Sequence, residues 1–104
     1  MKFTYTPELL EYLKKKGTDT ILVELVEATS SDFEILELSI RPADAKTKEI
    51  FLTKKHYKSV STEHGEVLLP PFPLDFEDTI AFGLKTFLFV KYITQKGIST
   101  GKIF

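Results

Sequence analysis

Alternation of apolar and polar residues is what most constrains this chain. Through Thr20–Glu27 (TILVELVE), Ile21, Val23 and Leu25 point one way and Leu22, Glu24 and Val26 the other, the two-residue period of a β-strand. The second face is half apolar too, which puts this strand inside a sheet rather than at its edge. Phe33–Ile40 alternates again, with Leu36, Leu38 and Ile40 inward and Glu37 and Ser39 outward. The polar stretch Ala28–Asp32 connects the two. The 104 residues fit one domain, 1–104, with 98–104 as a loosely ordered tail. A chain of this size buries roughly two-thirds of its unfolded surface, enough for one core without staples.

One helix is announced as clearly. Lys2–Tyr5 reads as a short strand, and Thr6-Pro7-Glu8 follows it with a capping hydroxyl, a proline suited to the first helical position and a carboxylate at the positive end of the dipole. Leu9, Leu10 and Leu13 form the apolar stripe, Lys14–Lys16 suit the negative end, and Gly17 supplies the left-handed stop, giving a helix over Pro7–Lys16. Arg41–Lys48 has the composition of a surface loop, and Pro42 closes the strand before it. Glu49–Thr53, Tyr57–Ser61 and Glu66–Leu69 read as short strands, the last two flanking a Thr62-Glu63-His64-Gly65 hairpin loop. Pro70–Pro73 (PPFP) is a stiff extended connector. Thr79–Leu84 and Phe87–Thr94 read as two strands, or as one bent at Gly83. One helix and about seven strands make an α+β fold.

Composition narrows the function. Fourteen basic and fifteen acidic residues leave a net charge of −1, and Arg41 is the sole arginine. Without a basic excess or a supply of arginine forks, nucleic acid is not the expected partner. The absence of cysteine removes disulfides, thiolate catalysis and thiolate-held metal clusters. No apolar run approaches the ~20 residues that span a bilayer, and the N-terminus has no signal-peptide pattern. A cytoplasmic protein with no membrane partner is the expectation.

The order of the pieces FTYTPELLEYLKKKG, TILVELVE and IAFGLKTFLFVKYITQKGI resembles the HesB-like A-type iron–sulphur carriers. It is similar above all to a divergent branch with adjacent cysteines, or cysteine and selenocysteine, after the second strand. The resemblance covers most of Phe3–Ile98 and implies one N-terminal helix packed on a partly closed β-structure, a β-sandwich or half-barrel. Where that branch carries sulphur or selenium this chain has Ser30-Ser31, and the C-terminal tail lacks the carriers' cysteines. A serine hydroxyl at neutral pH is a poor iron ligand, so the resemblance implies a scaffold without its cargo chemistry and no cofactor.

Few residues invite a chemical role. Ser30 and Ser31 are a relic ligand loop, a partner contact or, most simply, a polar turn. His56 and His64, with Glu63 and Glu66 near them, suggest a metal site, but an extended segment of that length would hold the two imidazoles roughly 26 Å apart. Asp75, Glu77 and Asp78 form a solvated acidic loop. An enzyme would need a pocket assembled from distant groups, for instance Ser30, Asp32 and Tyr57. In Phe82–Tyr92 both strand faces are apolar: Phe87, Phe89 and Lys91 share one, and Leu88, Val90 and Tyr92 the other. One face meets the core; the other is covered by the helix, by the PPFP segment or by another chain.

The expectation is therefore a non-catalytic structural or protein-interaction domain. Phe87, Phe89 and Tyr92 are its candidate contact surface, toward a second copy or a protein partner. The alternative is a metal- or small-ligand-binding protein using His and carboxylate groups.

Overall fold

The computed structural model describes residues 1–29 and 34–99. Chain order is β1 (Lys2–Tyr5), α1 (Pro7–Lys16), β2 (Thr20–Thr29), β3 (Glu34–Ala43), α2 (Ala45–Thr53), β4 (Lys58–Ser61), β5 (Glu66–Leu69), β6 (Asp75–Phe87) and β7 (Val90–Ser99). The strands form two mixed sheets, β1-β6-β7 and β3-β2-β5-β4, that do not close into a barrel. The class is α+β, as the sequence indicates.

The first half follows local chemistry closely. Thr6 caps α1 by accepting from the Leu9 N–H, Pro7 begins the helix, and Gly17 ends it at φ 74°. Leu9 and Leu13 are the buried residues of this helix. β2 runs centrally between β3 and β5, as its two apolar faces require. Ile21 and Val23 join Val67 and Leu69 of β5, Ile80 and Phe82 of β6, Ile93 and Ile98 of β7, and Leu9 and Leu13 of α1 in the main core. Leu22 and Leu68, pointing the opposite way from the same strands, join Ala43 and Phe51 in a second cluster. Ile98 is buried in β7, so the C-terminal tail cannot begin there.

Residues 41–53 depart from the sequence reading. Arg41–Ala43 continue β3, where Pro42 is tolerated because β3 is an edge strand and one of its flanks needs no N–H. The short strand expected at Glu49–Thr53 is instead the second half of helix α2, and the molecule has two helices among its described residues rather than one. Asp44 starts α2 by accepting from the Thr47 N–H at 2.7 Å. The helix brings Phe51 over Leu22 and Leu68, which explains why the outer face of β2 is apolar.

The hairpin loop 62–65 is as expected, with Ser61 paired to Glu66. The Thr62 hydroxyl donates to the Gly65 carbonyl at 2.8 Å, so the Tyr5 hydroxyl, 3.0 Å away, donates to Thr62 and ties the loop to β1. The acidic segment is not a loop: Asp75, Glu77 and Asp78 lie in β6, all exposed.

Candidate functional site

The far end of the β6–β7 hairpin carries exposed large apolar side chains. β1 flanks β6 only as far as Phe82, which pairs with Tyr5. Past that point β6 and β7 continue as a two-stranded ribbon, paired Leu84–Ile93, Lys85–Tyr92, Thr86–Lys91 and Phe87–Val90. Every residue from Lys85 to Tyr92 is exposed. Neither face is covered by α1 or by the PPFP segment, contrary to the sequence expectation of core burial.

Phe87 and Val90 pair directly, so Leu88 and Phe89 alone form the turn. Both have positive φ, 46° and 71°. Positive φ at both central positions is the type I′ geometry normally given to Asn-Gly, because a Cβ there meets the following carbonyl. Placing Leu and Phe in it costs roughly 1–2 kcal/mol for each residue. Phe89 is fully exposed, at 101%, with Leu88 at 75% and Phe87 at 66%. Two large apolar side chains thus occupy strained backbone where they contribute nothing to packing. Such a combination marks function more often than folding.

The turn also changes which residues share a face. An uninterrupted strand would group Phe87 with Phe89 and Lys91. Direct cross-strand pairing instead puts Lys85, Phe87, Val90 and Tyr92 on one face and Thr86 and Lys91 on the other, with Leu88 and Phe89 at the end. Of the candidate residues, Phe87 and Tyr92 share this face and Phe89 lies in the turn at its end, beside Leu88. Tyr92 is 44% exposed, set back from the tip beside Lys85. The opposite face borders a recess lined by Glu8, Glu11, Tyr12, Lys15, Thr86 and Lys91.

A second feature is an open cleft of about 680 Å³ between the end of α1 and the start of α2, lined by Leu10, Leu13, Lys14, Asp19, Lys48 and His64 among others. Much of its charge is satisfied internally. Lys48 pairs with Glu66, which also accepts from the Ser59 hydroxyl at 2.9 Å. Those two donors, the lysine first, hold the Glu66 carboxyl below its ordinary range. The Thr18 hydroxyl donates to the Ala43 carbonyl at 2.6 Å, fixing the cleft floor.

The remaining candidates do not converge. Among the described residues no group of three or more His, Asp or Glu side chains is placed to hold a metal ion. His64 sits in the hairpin loop with its ring edge against Tyr5, and His56 precedes β4. Tyr57 is half-buried against Phe51, and its hydroxyl accepts from the Leu25 N–H at 3.2 Å. Ser30, Ser31 and Asp32 lie outside the described residues. No helix among the described residues is long and apolar enough to cross a membrane. No family model, curated protein or solved structure matches the chain, and nothing links it to the HesB-like carriers.

Proposed function

We propose that this protein is a non-catalytic docking domain whose working element is the β6–β7 finger, Lys85–Tyr92. One observation carries the reading: the finger ends in exposed Phe87, Leu88, Phe89 and Val90, two of them in strained backbone that Asn-Gly would occupy freely. Exposed apolar patches of this extent mark contact surfaces more often than accidents of folding. Docking needs no thiolate, metal or nucleophile, and so asks for nothing the chain lacks. Descent from a carrier scaffold that has lost its cysteines fits this reading, with the β1–α1–β2 opening as its support.

The test is site-specific photo-cross-linking in the cells that make the protein, with a benzophenone side chain at position 89 and, as control, at exposed Glu63. The expected result is a defined adduct from position 89 that Phe87→Ser abolishes and that position 63 does not give. Indistinguishable yields from the two positions would remove the docking reading.

The cleft favours a second reading, binding of a small anionic molecule between Lys14 and His64. It comes second because Lys48 already holds Glu66 and Asp19 adds an opposing charge. Chemical-shift changes at His64 on adding phosphate or a dicarboxylate would support it, and an unperturbed spectrum would dispose of it.

A further inference from the structure

Resting on the docking reading, we propose that the surface met by the finger is an anionic lipid bilayer. The Phe87–Val90 tip enters the interfacial zone, and Lys85, Lys91 and Tyr92 lie at the headgroups.

Polarity changes along the finger as it does across a bilayer interface. The end is wholly apolar; one or two residues behind it come Lys85, Lys91 and Tyr92. At ~3.4 Å per strand residue, Lys91 of this collar lies about 7 Å and Lys85 and Tyr92 about 10 Å behind the turn, across the outer part of the roughly 5–10 Å to which interfacial elements sink. The collar chemistry matches that depth: lysine ammonium groups meet phosphates, and tyrosine prefers the boundary, ring inward and hydroxyl outward. The turn peptide groups are not paired within the ladder, so they need water or headgroups near them. Insertion therefore stops at the interface. This is surface contact and requires no membrane-crossing segment.

Shape and charge weigh against the other occupants. The finger is a projecting two-stranded ribbon that ends in a two-residue turn. A bilayer demands no complementary pocket. A second copy meeting finger to finger would bring two pairs of lysines together, and lysine at a sheet edge is itself a device against such pairing. The carboxylates of Glu8 and Glu11 border the recess behind Lys91 and oppose an anionic surface, while Lys15 beside them favours it.

The chain has no tryptophan, so Phe89→Trp places a single reporter at the tip. The experiment mixes that variant with vesicles of phosphatidylcholine alone or of an equimolar phosphatidylcholine and phosphatidylglycerol mixture. Co-sedimentation of the unmodified chain runs in parallel and guards against a folding defect in the variant. The expected result is a blue-shifted emission, quenched by lipids brominated near the headgroup end of the acyl chain, on the anionic vesicles. Lys85→Gln with Lys91→Gln weakens binding about thirtyfold, from roughly fivefold per lysine near an anionic surface. Glu8→Gln with Glu11→Gln strengthens it. The absence of both an emission shift and co-sedimentation on anionic vesicles would overturn the bilayer inference. If position 89 still cross-links in cells, the occupant is a protein and docking stands; if the chain sediments as a dimer that Phe87→Ser dissociates, it is a second copy.

Discussion

Phe87 lies directly across the β6–β7 ladder from Val90, which leaves Leu88 and Phe89 as a two-residue turn with positive φ at both positions. From this pairing follow the strain at the tip, the sorting of residues between the two faces of the finger, and the exposure of its end. Replacing Leu88-Phe89 by Asn-Gly removes the strain without touching the core. The double variant is expected to gain about 2–4 kcal/mol of stability, the strain of the two residues together, read as a rise in the urea midpoint, while losing vesicle binding. A stability loss would mean the two side chains pack in a way their exposure does not show.

Phe82 anchors the base of the finger. It is 1% exposed, stacked on Phe3 at 6.0 Å between ring centroids and tilted against Tyr5 at 5.6 Å. Phe82→Ala is expected to cost about 3–5 kcal/mol, the range for buried aromatics cut to alanine. Phe89→Ala should cost nothing. Equilibrium unfolding of the two variants side by side checks the contrast.

Gly97 stands opposite the irregular stretch of β6 between Phe76 and Ala81, with φ 114°. A Cβ there would lie 2.6 Å from the Thr79 carbonyl oxygen and 3.0 Å from Ile80 Cδ1. Backbone cannot yield as a side-chain end can, so Gly97→Ala should destabilise by more than 2 kcal/mol, on the order of a strained φ plus a clash. Unfolding near the wild-type midpoint would show that β7 shifts to make room.

The carboxyl of Glu66 is held below its ordinary value of 4.5 by Lys48 and Ser59, and that of Asp44 below 3.8 by the Thr47 backbone N–H. Both groups bind fewer protons folded than unfolded. Their stabilisation is present above the ordinary values and fades as pH falls through the lowered ones. Glu66→Gln should therefore lower the denaturation midpoint at neutral pH, and the gap to wild type should close at acid pH as the carboxylate protonates. At the other extreme, burial raises the hydroxyls of Tyr5 and Tyr57 above 10.0. Stability contributed there is full below that value and declines above it as the phenols ionise. A Tyr57→Phe chain should show the smaller alkaline decline.

How much of this was legible depends on where the controlling interaction lies. The α1 helix was, because Thr6, Pro7, Lys14–Lys16 and Gly17 all act within a turn or two of chain. The α2 helix was not, although Asp44 and Thr47 carry a capping signal. Its Ile50-Phe51-Leu52 triplet fits a strand as well as a helix, and only Leu22 and Leu68 beneath it decide the matter. The candidate residues Phe87, Phe89 and Tyr92 were visible as an excess of apolar side chains. Their exposure was not, because it depends on β1 ending at Tyr5 and leaving β6 without a third strand beyond Phe82.

By itself the sequence determined the α+β class, the capped first helix, the central place of β2 and the lack of thiol chemistry, each set by side-chain period, local capping or composition. Only the tertiary structure decided that Leu88 and Phe89 are a turn and not a strand. No residue type there asks for positive φ; the pairing of Phe87 with Val90 imposes it, and the registry of two strands is a non-local property that one stretch of chain does not encode.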